Sequence, residues 1–250
     1  MIMNILIIIL LILSFTALFT NAASNGTTLF LGGIALSAPY IAGWLTKKYF
    51  APDLHIEYLH KPPYFRQTRY AGSLPVYYCQ FCVENKGKSQ AKSCEAVLEE
   101  LQLRHSHGKF VKVKNFLPVN LTWATEYSQP GGGAAKTLLE NINQNRKKYC
   151  NIGHIPHSKD QKAKSVFYNN QKTESKFFFD MHPKSKAQPD CILPGKAKIK
   201  IGIYADNAPK NTRYFIIDWS GKWEDKEEDM LKEFKIVVQG EQKDKGGEKG

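Results

Sequence analysis

The strongest constraint on this fold is the segment from Ile192 to Trp223, because it holds two strand patterns and the turn between them. Ile199, Ile201 and Ile203 alternate with Lys198, Lys200 and Gly202, so an extended chain presents one apolar face and one basic face. A helix would scatter the same side chains around its axis. Ala205-Asp206-Asn207-Ala208-Pro209 supplies turn chemistry, a second strand is predicted over Arg213–Asp218, and Ser220-Gly221 marks the next turn. Arg213 opens that second strand. Its planar fork of donors suits bidentate contact with a phosphate.

The remaining pattern adds helices to this sheet. Cys94, Val97, Leu98 and Leu101 fall at helical spacing with glutamates between them, which predicts a helix over Ala91–Arg104. A second helix is predicted over Ala134–Tyr149, with Leu138, Leu139 and Ile142 inward and Arg146, Lys147 and Lys148 in its last turn. Strands are predicted at Phe110–Lys114, Ser165–Tyr168, Lys176–Met181 and Phe234–Gln239, and a short helix with an acidic first turn at Glu224–Phe234. The class this implies is α+β: an antiparallel sheet packed against one or two helices and stabilised by disulfides.

The N-terminus sets the expected address. Met1 to Phe19 is almost wholly apolar, and Thr20, Ala22 and Ala23 follow. This is the pattern of a secretory signal peptide spanning residues 1–22. Leu29–Leu45 also lacks charge and ends before Lys47-Lys48, close to the minimum length of a membrane span. It stands as an alternative anchor, although Gly32, Gly33, Pro39 and Gly43 favour a buried or interfacial segment. Residues 23–76 read as an apolar and aromatic N-terminal segment, 77–239 as the main domain, and 240–250 as a disordered charged tail.

Export makes disulfides the default use of Cys79, Cys82, Cys94, Cys150 and Cys191, with one thiol left over and the connectivity open. Asn25 and Asn120 lie in glycosylation sequons. Cys79 and Cys82, and Cys150, His154 and His157, offer sulfur and imidazole ligands for zinc, but their spacing fits no standard site, so no metal or cofactor is expected. Gly131–Thr137 has Ala135 where a phosphate-binding loop needs glycine before its lysine. A formal net charge of +12 points to an acidic partner: RNA, an anionic surface or an acidic protein.

Several short elements then fall in one order. Tyr78-Cys79 precedes the segment carrying Cys94, Pro156-His157 follows, and Tyr204, Pro209 and Arg213 come later with Gly221 beyond them. This order resembles the small secreted guanyl-specific fungal ribonucleases, and the ribonuclease-like secreted effectors of plant-pathogenic fungi. The resemblance implies a phosphate-binding role for Arg213 and a catalytic role for His157, with Glu174 and Asp190 the nearest carboxylates to the family's glutamate. The sequence departs from the pattern in ways that bear on chemistry. Thr212 replaces the family's aspartate, Ile155 its tyrosine, and no histidine follows Arg213. Cleavage of RNA through its 2′-hydroxyl needs a base, an acid and a cation at the phosphorane, and the acid is missing. The expectation is a secreted, host-directed binding protein without ribonuclease activity. It would bind RNA or a host protein through Arg213, Tyr204, Lys198 and Lys200.

Overall fold

The computed structural model describes residues 38–45, 49–69, 74–105, 107–124, 136–157, 159, 176–184 and 187–239, and it builds them into two antiparallel sheets. The first sheet contains β1 (Leu54–Glu57), β2 (Phe65–Thr68), β3 (Val76–Asn85), β8 (Lys147–Pro156), β9 (Phe177–Phe179) and β11 (Cys191–Ile192). Its order is β1-β3-β8-β9-β11, with β2 also on β3. The second contains β4 (Ala91–Arg104), β5 (Phe110–Lys112), β6 (Val119–Leu121), β7 (Leu138–Ile142), β10 (Met181–His182), β12 (Gly195–Ala205), β13 (Ala208–Trp219) and β14 (Phe234–Gln239). It runs β10-β6-β4-β12-β13-β14, with β5 and β7 also on β4.

One apolar cluster lies between the sheets, and aromatic rings from both sides meet in it. Phe65 and Phe177 of the first sheet stack on Phe234 of the second at 5.3 Å and 5.1 Å between centroids, and Phe81 meets Phe215 at 6.0 Å. The isoleucine ladder behaves as predicted. Ile199, Ile201 and Ile203 are fully buried, while Lys198 and Lys200 take the other face of β12. Alternation along a half-buried strand has this consequence, and burying each such side chain is worth about 1.5–3 kcal/mol.

The α+β expectation is overturned. Ala91–Arg104 is the 14-residue strand β4, and Ala134–Tyr149 contributes β7 and the start of β8. Helix in unit Ala51–Gly250 is confined, among the described residues, to α1 (Glu227–Glu233), whose first turn carries Glu227, Glu228 and Asp229 as predicted. The misreading of β4 has a local cause. Ser93 has a φ of 51°, and the register with β12 slips at Glu99, where Leu98 faces Ile201 but Glu100 faces Lys200. At each place the alternation shifts by one residue, so Ala91 and Cys94, and Leu98 and Leu101, reach the core three apart, while Cys94, Ala96 and Leu98 between them keep the ordinary alternation. Two irregularities in a strand thus imitate one face of a helix. In the second case the turn after Ile142 was missed. Asn145 adopts a φ of 55°, and the Arg146 N–H donates to the Asn143 carbonyl at 3.1 Å, forming the turn that carries the chain from β7 in the second sheet to β8 in the first.

The disulfides are also absent. Cys79, Cys82, Cys94, Cys150 and Cys191 are all free and buried. Register explains why. Cys79 lies opposite Gly153, Cys82 opposite Tyr149, Cys150 opposite Phe81, Cys94 opposite Leu139 and Cys191 opposite Phe178, so no cysteine faces another. Burial pushes the Cys82 and Cys94 thiols up to about 11, and holds Cys79 and Cys150 well above the ordinary thiol value. These are neutral apolar side chains of the core.

Asn85 fixes the turn where β3 of the first sheet leaves for β4 of the second. Its amide donates to the carbonyls of Ser89 and Ile142 at 2.7 Å and 2.9 Å, and its side-chain oxygen accepts from the N–H groups of Gly87 and Asp53 at 3.0 Å and 3.2 Å. A fully buried amide with every partner in place fixes a turn firmly. Gly87 is required there, since a Cβ would sit 2.3 Å from the Asp53 nitrogen.

Residues Met1–Phe50 form a separate unit. Within it, residues 38–45 are helical and expose Tyr40, Ile41 and Trp44. No helix among the described residues is long and apolar enough to cross a membrane. The signal segment 1–22, the part of Leu29–Leu45 before residue 38, Asn25, residues 131–135 and the tail 240–250 lie outside the described residues.

Candidate polyanion-binding face

The outward face of the second sheet carries three of the four residues expected to meet an acidic partner. Lys198, Lys200 and Tyr204 project from β12 on the side away from the isoleucines. Register extends the face onto the neighbouring strands. Gln102, Lys198 and Ile216 form one row across β4, β12 and β13, with Lys112 of β5 beyond Gln102. Glu100, Lys200 and Tyr214 form the next.

Rings and ammonium groups interleave on this face. The Lys198 ammonium lies 4.4 Å from the centroid of Tyr214, and the Lys200 ammonium lies 5.8 Å from the same ring. The Lys210 ammonium lies 5.0 Å from the Tyr204 ring. A cation over an aromatic face is held by the ring's quadrupole while its other side stays open to solvent. Among the described residues Lys198 has no ion pair. Lys112 pairs with Glu100 at 2.8 Å, and Lys196 with Asp218 at 2.6 Å.

The slip in β4 turns a second carboxylate, Glu99, onto the same face. Tyr204 donates to its Oε1 at 2.5 Å and Lys210 to the same oxygen at 2.8 Å, while the Lys200 Nζ lies 3.4 Å from Oε2. The carboxylate rests over Gly202, where a Cβ would come within 2.2 Å of Oε1. Burial pushes the Glu99 carboxyl up, but hydrogen bonds from Lys210 and Tyr204 and the two ammonium charges outweigh it and hold the group below its ordinary value. Glu99, Lys210, Gly202 and Tyr214 were not read from the sequence as site residues. The alternation Lys198, Lys200, Gly202, Tyr204 carried part of that signal.

Arg213 is not on this face. It lies opposite Ile201 and in phase with Phe215, Ile217 and Trp219, whose side chains enter the core, so it belongs to the inward side of β13. His157 is elsewhere again. Its ring lies 4.9 Å from Trp223 and its Nε2 3.9 Å from an Asp225 carboxylate oxygen, while its Nδ1 accepts from the Lys159 N–H at 3.0 Å. Trp223 packs against Tyr77 near the Trp219 end of β13, and Arg213 precedes Trp219 by six residues, about 20 Å of strand. Glu174 lies outside the described residues, and Asp190 is fully buried. Asn120 of the second sequon is half-buried in β6, between β4 and β10.

The histidine best placed for acid–base work was not singled out for it by the sequence. His154 of β8 is bonded through Nδ1 to Asp180 at 2.5 Å, and its ring stacks on Phe178 with 15° between planes. Among the described residues no group of three His, Cys, Asp or Glu side chains converges as a metal site. No protein-family model matches the chain, and no curated protein matches it.

Proposed function

We propose that this protein is an exported binding protein that takes single-stranded RNA on the outward face of β12 and β13, and that it does not cleave it. The observation that carries the reading is Lys198, a cation seated on the Tyr214 ring and unpaired by any carboxylate among the described residues, beside Lys200. Lysines neutralise phosphates and release counterions, and exposed tyrosine rings accept bases from any sequence by stacking. The absence of cleavage rests on separation: Arg213 lies mid-strand on the inward side of β13, about 20 Å of strand from the Trp219 end near which His157 meets Trp223, so the two do not act on one phosphate.

The test is a titration of labelled single-stranded RNA with the full chain across a salt series, beside Lys198→Ala and Tyr214→Ala, with the same samples on a denaturing gel. Both substitutions are expected to weaken binding, about tenfold for Lys198→Ala with a salt slope shallower by about 0.7. The RNA is expected to stay intact. Equal affinity of all three proteins overturns the RNA reading, as does binding to anionic vesicles but not to RNA. RNA cleavage lost in His157→Ala overturns the non-catalytic part.

A further inference from the structure

Glu99 occupies a place that suits a different anion. Its carboxylate touches one hydroxyl, from Tyr204, and two ammonium groups, from Lys210 and Lys200, and its side chain is 11% exposed on a face otherwise open to solvent. Nothing from β12 fills the space beneath it, because position 202 is glycine. A hydroxyl and two ammonium groups around a small anion are also what a phosphodiester oxygen requires. The local charges are otherwise near balance: Glu100 is engaged by Lys112 and by Gln102 at 2.5 Å, which leaves Glu99 as the carboxylate that neutralises the two remaining lysines.

We infer that Lys200, Lys210 and Tyr204 form a phosphate subsite of the RNA-binding face, and that Glu99 fills it in the free protein as an internal counter-anion that RNA must displace. The inference rests on the RNA reading above and adds to it. It assigns Lys210 and Tyr204 as ligands, and it makes Glu99 a residue that lowers affinity rather than a structural anchor. Glu99 is well placed to leave. It sits where β4 carries one residue more than β12, so its side chain can swing away without breaking the ladder on either side.

The experiment compares RNA binding by the full chain, Glu99→Gln and Glu99→Gln/Lys210→Ala. Glu99→Gln keeps the shape and removes the charge. It is expected to bind RNA about tenfold more tightly, with a salt slope steeper by about 1.4 as two lysines become available, and Lys210→Ala is expected to cancel most of that gain. Unchanged or weaker binding by Glu99→Gln overturns the inference. A second measurement uses only the native sequence, with lysines reductively methylated with carbon-13. RNA is expected to shift the Lys198, Lys200 and Lys210 signals together. Movement of Lys198 alone overturns the subsite and leaves the RNA reading standing. No movement of any of the three overturns both.

Discussion

The two sheets are alike inside and unlike outside. Their inner faces share one core, and each buries a thiol, Cys82 in the first and Cys94 in the second, raised to about 11. On the outside the first sheet carries Arg66, Tyr78, His154 and Phe178 in one cross-strand row over β2, β3, β8 and β9. Phe178 in that row is only 3% exposed and belongs to no part of the shared core. The second sheet carries the Lys–Tyr–Glu lattice of β4, β12 and β13, whose lysines are all partly or fully exposed. In the outer row of the first sheet Phe178 is buried, Tyr78 and His154 are half-buried and Arg66 is exposed. The outer face of the second sheet is wet along its lysines, which leaves them available for recognition. This contrast argues for the second sheet as the binding surface, and it is open to direct attack.

The largest effect is expected from a matched pair of glycines. In Gly153→Ala the new Cβ would lie 2.1 Å from the backbone oxygen of Phe178, so β9 must move away from β8. A loss of about 3 kcal/mol is expected in urea unfolding. In Gly202→Ala the Cβ meets the end of the Glu99 side chain, which can swing aside, and a loss of about 1 kcal/mol or less is expected. Gly153 lies on the core side of the first sheet, against Phe177, and Gly202 on the outer face of the second, so equal costs would mean that this outer face is as close-packed as the core and is no open binding surface.

A smaller effect sharpens the likeness inside. A thiol whose value rises from 9.0 to about 11 on folding is neutral in the native chain while it ionises in the unfolded one. Stability from Cys82 and Cys94 is therefore complete below pH 9 and is lost as pH rises from 9 towards 11. The midpoint of urea unfolding is expected to hold to pH 9 and then fall. The fall should be shallower in Cys82→Ala/Cys94→Ala. Smallest of all, a thiol reagent at pH 8 is expected to label none of the five cysteines in the native protein and all five in denaturant. Rapid native labelling would contradict their burial.

The strands were legible where one residue in two is apolar without interruption. β14 was read to the residue, the central Lys198–Ile203 of β12 was read from its alternation, and α1 was marked by its acidic first turn. β4 was not legible, because its two irregularities put spacings of three into a period of two, and with Cys94 and Leu98 four apart the pattern matches one face of a helix. The cysteines misled for a different reason. The expectation of export argued for pairing, but pairing needs facing positions, and register is a long-range property. Of the candidate site, Lys198 and Lys200 were legible from alternation, whereas Tyr204 was singled out through the Tyr204, Pro209 and Arg213 series. The place of Arg213 was legible too, since Phe215, Ile217 and Trp219 set the phase of β13, but its aptitude for phosphate was read in place of its parity. Glu99 and Lys210 were beyond the sequence, because they meet Tyr204 only once three strands are in register.

The slip at Glu99 has a consequence for how this protein can vary. Leu98 and Leu101 both face inward, and Glu99 and Glu100 both face outward between them. Removing Glu99 would leave Leu98, Glu100 and Leu101 in strict alternation, with every core side chain still on its own side. A single-residue deletion in the middle of a strand ordinarily turns the rest of the strand inside out. Here the reading frame of the pleat would survive it, so β4 can change length at its centre, where most strands can change it only at their ends.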